Sequence, residues 1–279
     1  KKVEINESVR QQGTEIASGG STRLLAGNDI TSQAATVTAN KDLALQAGHD
    51  VNITTATESD YAYREETKTK KGFLKKTTTH TIQENSDTRE KASQLSGNTV
   101  SVIAGNDLNV QGSSVAGDKG VALSAGNDLN IVTATNTQST YSLKEKKKSG
   151  LMGGGLGLSY GKQSAKSERN GDQVTQSDAR SLVGAGNGVV SMTAGNNALI
   201  KGSDVIAGGQ NGDISVTAKN IAIVAGQDQV RETAKQKSKS SGFGLSLNLT
   251  PLDTVRNLRD IMNNTSSVYE QMKQTGNEL

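Results

Sequence analysis

Residues 149–163 read SGLMGGGLGLSYGKQ and follow directly on Lys146, Lys147 and Lys148. Glycines beside a basic run raise the question of a phosphate-cradling loop. The spacing rejects it: a GxxxxGK[ST] loop ending on Gly161 and Lys162 needs glycine where Leu156 stands and a hydroxyl where Gln163 stands. GxGxxG fails as well, because from Gly155 and Gly157 the third glycine is due at Tyr160. His49 and His80 are the only imidazoles and have no second histidine at ligand spacing, so neither metal binding nor acid–base work is expected of them. Asp29, Asp50, Asp107 and Asp128 recur with a turn motif, but a calcium-binding nonapeptide helix needs a nine-residue Gly–Asp period that is absent. With no cysteine, disulfides and thiolate chemistry are excluded. Sugar-cleaving enzymes do occur on β-helices, yet they want clustered carboxylates and aromatic platforms, and aromatic residues make up only 3% of this chain. We therefore expect no catalytic residue, no cofactor and no metal site.

What the glycine-rich run does show is alternation. Leu156, Leu158 and Tyr160 are interleaved with Gly155, Gly157, Ser159 and Gly161, and Leu151 and Met152 precede them. In SGFGLSLNLT, Phe243, Leu245, Leu247 and Leu249 alternate with Gly242, Gly244, Ser246 and Asn248. A third copy, KKGFLKKTTTHTI, keeps the lysines, the glycine and then Phe73 and Leu74. Such arms are strands with one apolar face. One reading packs that face on the rest of the protein or on a partner strand, with lysines guarding the edge. The other places these apolar residues against a bilayer, since membrane strands alternate apolar with small or polar residues over about 9 to 11 positions. Lysine runs suit anionic lipid or lipopolysaccharide as well as plain solvation. They lack the interleaved aromatics of a nucleic-acid platform, so no nucleic acid is expected.

The elements that must carry these arms are set by a repeat. AGNDI begins at Ala26, AGHDV at Ala47, AGNDL at Ala104 and Ala125, AGNNA at Ala194 and AGQDQ at Ala225, with 47 − 26 = 21 and 125 − 104 = 21 residues between neighbours. Between them lie DLALQA, GVALSA, DISVTA and NIAIVA, in which Leu43 and Leu45, Val121 and Leu123, Ile214 and Val216, and Ile221 and Ile223 fall at every second position. Period-two alternation means strands with one buried face, and units this short must stack to bury it. The fold class expected is all-β: a right-handed parallel β-helix with hairpin-like insertions and a C-terminal α-helix. The repeat turns are Gly27 with Asn28, Gly48, Gly105 with Asn106, Gly126 with Asn127, Gly195 with Asn196, and Gly226. Glycine is expected there for positive φ, and the asparagines are expected to bond to one another along the stack.

A longer period separates pairs of coils: 104 − 26 = 78 and 194 − 104 = 90 residues. The β-helix is expected over residues 1–250, with insertions at about 58–96, 137–185 and 229–250. Residues 251–279 are expected to form a helix that caps the stack or links onward, with Thr250 as N-cap, Pro251 at the first helical position and Asp253 completing a capping box. The start, KKVEINESVR, has neither an initiator Met nor an apolar run of signal-peptide length, so the chain reads as an internal stretch with any export signal outside it. No run approaches the roughly 18 apolar residues of a spanning helix.

The order AGNDLNVQGSSVAG…GVALSAGNDLNI followed by KKKSGLMGGGLGLSYGKQ closely resembles the second haemagglutinin-repeat region of filamentous haemagglutinin-like exoproteins, and within them the contact-dependent growth inhibition toxins (CdiA type). The likeness covers about residues 3–250. It implies a β-helical stalk at the bacterial cell surface, exported by a dedicated outer-membrane secretion partner acting on regions outside this chain. It also implies association with a target cell's outer membrane and delivery of a C-terminal toxin domain. A passive adhesin or structural stalk is the alternative.

Overall fold

The computed structural model describes residues 1–154 and 157–246, of which 152–159 and 244–246 by backbone alone. Among them every regular element is a strand. Short strands rich in Val, Ile, Leu and Thr alternate with two-residue Gly-Asn-type turns, so each coil is three strands with three corners. The first coil is Glu15–Ser18, Thr22–Ala26 and Ile30–Gln33, and the second Thr36–Ala39, Leu43–Ala47 and Val51–Thr54. In the third, Gln94–Ala104 spans two sides and Leu108–Gln111 the third; the fourth likewise uses Ser114–Ala125 and Leu129–Val132. The fifth is Leu182–Ala185, Val189–Ala194 and Asn197–Lys201, and the sixth Asp204–Ala207, Ile214–Thr217 and Asn220–Val224.

Every coil pairs with the next in parallel and in register. Leu45 aligns with Val102, Val102 with Leu123, and Leu123 with Met192. On another side Val51 aligns with Leu108, Leu108 with Leu129, and Leu129 with Ala198. The inward set forms one unbroken aliphatic core that includes Leu43, Leu45, Val121 and Leu123, as the alternation predicts. Each such leucine removed from water contributes about 1.5–3 kcal/mol. The final coil differs. Val216 is only partly buried, and Ile214, Ile221 and Ile223 are exposed, Ile223 at 75%, because among the described residues no seventh coil lies on them. The sequence pattern marks which face is inward, whereas burial also needs a neighbour on each side.

The repeat glycines correct a second expectation. None of Gly27, Gly48, Gly105, Gly126 or Gly195 has φ in the left-handed region, and neither do the asparagines beside them. Gly27 apart, they are glycine because the coils touch there: a Cβ on Gly48, Gly105, Gly126 or Gly195 would sit 1.9–2.2 Å from the carbonyl oxygen of the glycine one coil earlier. Positive φ is used at another corner, by Ala34, Gly112 and Gly202, where the first, third and fifth coils pass into the next. Gly226 stands at that other corner, after the third strand of the sixth coil. It lies beside Gly202, while Asn220 continues the stack through its amide to the Asn196 carbonyl at 3.0 Å.

The asparagines form a ladder, but to aspartate. Asn106 Nδ2 donates to Asp50 Oδ1, Asn127 Nδ2 to Asp107 Oδ1 and Asn197 Nδ2 to Asp128 Oδ1, each at 2.9 Å. The same carboxylate oxygens accept the backbone N–H of Asp107, Asp128 and Asn197. An Asn–Asn ladder does exist one strand further on, running Asn130 to Asn109 to Asn52 at 2.9 Å per step.

After the second and fourth coils the chain leaves as a long hairpin, Ala56–Gly72 with Lys75–Lys91 and Asn136–Gly154 with Gly157–Thr175; after the sixth it leaves as Gln229–Ser246. These strands, with Lys2–Val9 at one edge, form a six-stranded sheet in that chain order. Lys2–Val9 pairs antiparallel with Ala56–Gly72, a membership that nothing in the sequence pattern announces.

Candidate functional site

The chain forms two compact units. The first contains the coils and the hairpin segments nearest them: Lys1–Lys68, His80–Glu145 and Lys166–Gln236. The second is made of the hairpin segments nearest the turns, Thr69–Thr79 and Lys146–Ala165, together with the strand from Lys237.

In the first unit the hairpins carry both signs of charge. Arg10 and Arg89 both pair with Asp60, at 2.6 and 2.7 Å, and His80 pairs with Glu65 at 2.8 Å. The Arg10 hydrogen bond holds the Asp60 carboxyl below its ordinary range, and the His80 hydrogen bond does the same for Glu65. His80 is thus the partner of one carboxylate. His49 stands in the asparagine position of its coil, and its Nδ1 lies 3.2 Å from both Asp29 and Asp50. These three groups lie close enough to face one ion. Their geometry is that of the ladder, with an imidazole in place of the amide.

The described part of the second unit holds ten lysines and no carboxylate: Lys70, Lys71, Lys75 and Lys76 at the first turn, Lys146 to Lys148 and Lys162 on the second hairpin, and Lys237 and Lys239 on the last strand. Among them stand the apolar residues the sequence singles out. Phe73 and Leu74 make the two-residue turn between the strands Ala56–Gly72 and Lys75–Lys91, with Leu74 at φ 55° and Phe73 93% exposed. Phe243 is 92% exposed, Tyr160 is exposed and Leu151 is partly so. Met152, Leu158 and Leu245 lie on strands described by backbone alone. Leu156, Leu247 and Leu249, with the expected helix at 251–279, lie outside the described residues.

Two close approaches shape this unit. Leu151 N donates to the Leu74 carbonyl at 2.8 Å, and there Gly150 adopts φ 110°, with its missing Cβ only 2.0 Å from the same carbonyl oxygen. A Cβ on Gly161 would fall 2.3 Å from Ser241 O, so the strands Gly157–Thr175 and Gln229–Ser246 run together without side chains between them at that level. Beside these glycines lies a cavity of about 720 Å³ lined by lysines, short hydroxyl residues and Gln163.

Sequence reasoning missed a set of buried serines. Ser93, Ser113 and Ser181 are buried at the corner from which the hairpins leave. Ser113 Oγ donates to Gln111 O at 2.8 Å, whereas Ser181 Oγ reaches back across the whole second hairpin to Val132 O at 2.6 Å. A signal for them was present: Ser-x-(Leu/Val) occurs at Ser93–Leu95, Ser113–Val115, Ser181–Val183 and Ser203–Val205.

Stacked parallel coils with a continuous aliphatic interior define the class as a repeat β-solenoid. The family model described as Hemagglutinin repeat matches residues 1–74 and 74–243, and the chain belongs to this family. It is 54% identical over 208 residues, 74% of its length, to the 16S rRNA endonuclease CdiA of Enterobacter cloacae subsp. cloacae. It is 48% identical over 208 residues to the tRNA nuclease CdiA of Escherichia coli strain STEC_O31, and 38% identical over 206 residues to the Deoxyribonuclease CdiA of Dickeya dadantii, again over 74% of the chain in each case. The likeness is to a CdiA-type filamentous haemagglutinin-like region, and the chain spans about 6% of the length of these relatives. No solved structure matches.

Proposed function

We propose that this chain is a non-enzymatic segment of a secreted, cell-surface toxin-delivery protein, and that its arms associate with the outer membrane of a target cell. In this reading the stack is right-handed and residues 251–279 form a helix that caps it or links onward. A dedicated outer-membrane partner exports the whole protein, and a C-terminal toxin domain is its cargo. Relatives named for three different nuclease activities match this one region, which supports a role shared by carriers of different toxins.

The observation that carries the membrane reading is the segregation of charge. The first unit carries mixed, ion-paired residues, whereas the described part of the second, where Phe73, Tyr160 and Phe243 are exposed, carries lysines and no carboxylate. Exposed aromatic residues ringed by lysine suit the headgroup region, where rings bury and ammonium groups meet phosphate. The test is flotation of the 279-residue chain with outer-membrane vesicles. Wild type is expected to float, and the double variant Phe73→Asp/Phe243→Asp to lose at least roughly tenfold in partition, since each buried ring is worth about 1.5–3 kcal/mol. Equal flotation of both proteins would remove the reading. Cell binding without flotation would favour the passive stalk, which the unbroken core would serve equally well.

A further inference from the structure

The lysine-lined cavity has a chemistry more specific than attraction to a negative surface. Lys76, Lys147, Lys148, Lys162 and Lys239 line it, contributed by four strands that are neighbours in the sheet. Apart from Gln163 the rest of the lining is short and hydroxylic, including Thr78, Ser149 and Ser240, and no carboxylate is among the described lining residues. Small side chains leave the space open, and the bare-backbone approach at Gly161 helps keep it so. Lysines that line one space together with hydroxyl groups offer it donors and positive charge, which favour an anion. Several phosphate oxygens are the acceptors that ammonium and hydroxyl donors match. A volume of about 720 Å³ is that of a ligand site and far exceeds one phosphate.

We propose that this cavity is a binding site for the headgroup of a multiply phosphorylated lipid. The lipid source follows from the exposed rings of the same unit: Tyr160 is adjacent in sequence to the glycine beside the cavity, and Phe243 follows Gly242 on the neighbouring strand. A headgroup held among the lysines thus has apolar contacts at hand for its chains. The aromatic stacking surface that a nucleic acid would use is absent from the lining. This inference rests on the membrane reading above and sharpens it.

The test compares the 279-residue chain with Lys148→Gln/Lys162→Gln/Lys239→Gln on three probes: phosphatidylcholine vesicles, the same vesicles doped with a bis-phosphorylated glycolipid, and soluble inositol hexakisphosphate. Wild type is expected to bind the doped vesicles best, and the triple variant to lose on the order of a hundredfold there while binding plain phosphatidylcholine as wild type does. Lys→Arg at the same positions should restore most of the loss. If the triple variant binds doped vesicles as tightly as wild type, the site is refuted while the membrane reading stands. If the soluble polyphosphate binds as tightly as the doped vesicles, the lipid source is refuted. Loss of binding to every vesicle by Phe73→Asp/Phe243→Asp, with the lysine contrast absent, would uphold the membrane reading and overturn the headgroup site.

Discussion

Ser93 Oγ lies 2.7 Å from the carbonyl oxygen of Thr54, so the residues on either side of the first hairpin are joined by one hydroxyl although the chain between them runs out and back through two long strands. The same hydroxyl reaches Ser32 O at 2.9 Å and accepts from Ala35 N at 3.2 Å. Ser93 is fully buried, so water does not reach its hydroxyl. Ser93→Ala is therefore expected to cost about 1–3 kcal/mol, read as a fall in the urea midpoint with an unchanged slope. A change within a few tenths of a kcal/mol would mean the corner is satisfied some other way.

Two glycines of the same motif should respond oppositely to alanine. A Cβ on Gly126 would meet Gly105 O at 2.0 Å, while one on Gly27, in the first coil, would meet nothing within 4 Å. Gly126→Ala is expected to destabilise by about 1–3 kcal/mol through forced separation of coils. Gly27→Ala should be neutral or gain about 0.5 kcal/mol from a stiffer unfolded chain. Thermal melts of the two variants decide it, and equal losses would show that the glycines serve backbone conformation after all.

Acid should loosen the sheet edge. Asp60, Glu65, Glu4 and Glu66 all have their carboxyls held below the ordinary range, by Arg10, His80, Lys2 and Lys68 respectively. The folded protein thus binds protons less readily than the unfolded chain at these sites. Their stabilisation is complete above the ordinary carboxylate range near pH 4 and is lost as pH falls through the lower folded values. Amide exchange of Lys2–Val9 should therefore accelerate relative to the core on acidification, and Asp60→Asn should remove part of that dependence. Exchange that tracks the core at every pH would count against it.

Hairpin spacing should obey the pitch of the coils. Two stacked coils rise by two strand spacings of about 4.8 Å, and one hairpin adds two strands at that same spacing to the side sheet. One hairpin per two coils thus keeps both sheets in step. Deleting one coil, residues 112–132, should disrupt pairing between Lys75–Lys91 and Asn136–Gly154, whereas deleting residues 94–175, a coil pair with its hairpin, should leave both sheets continuous. Protease resistance of the arms distinguishes them, and equal resistance would break the rule.

The coil repeat was legible because burial at Leu43, Leu45, Val121 and Leu123 follows from local alternation, which a linear string records. What it does not record is which backbone lies above which. Gly48 is glycine because of Gly27, and Asn106 bonds Asp50 across 56 residues, so a turn-based account chose the wrong reason for the first and the wrong partner for the second. Gly226 carries the motif letters at a different corner, since it follows the third strand of its coil and lies beside Gly202. In the candidate site the lysines and rings could be named from the sequence, but their meeting on four neighbouring strands could not, because that depends on the hairpins sharing one sheet.

The sixth coil, the last among the described residues, has a face with a kinetic meaning. Ile214, Ile221 and Ile223 present a ready-made aliphatic template with free strand edges alongside. Any further turn of similar sequence laid on it would gain contacts at once and would skip the slow step of nucleation, much as a layer is added to a crystal face. Growth of such a stack is then additive, each coil serving as the template for its neighbour.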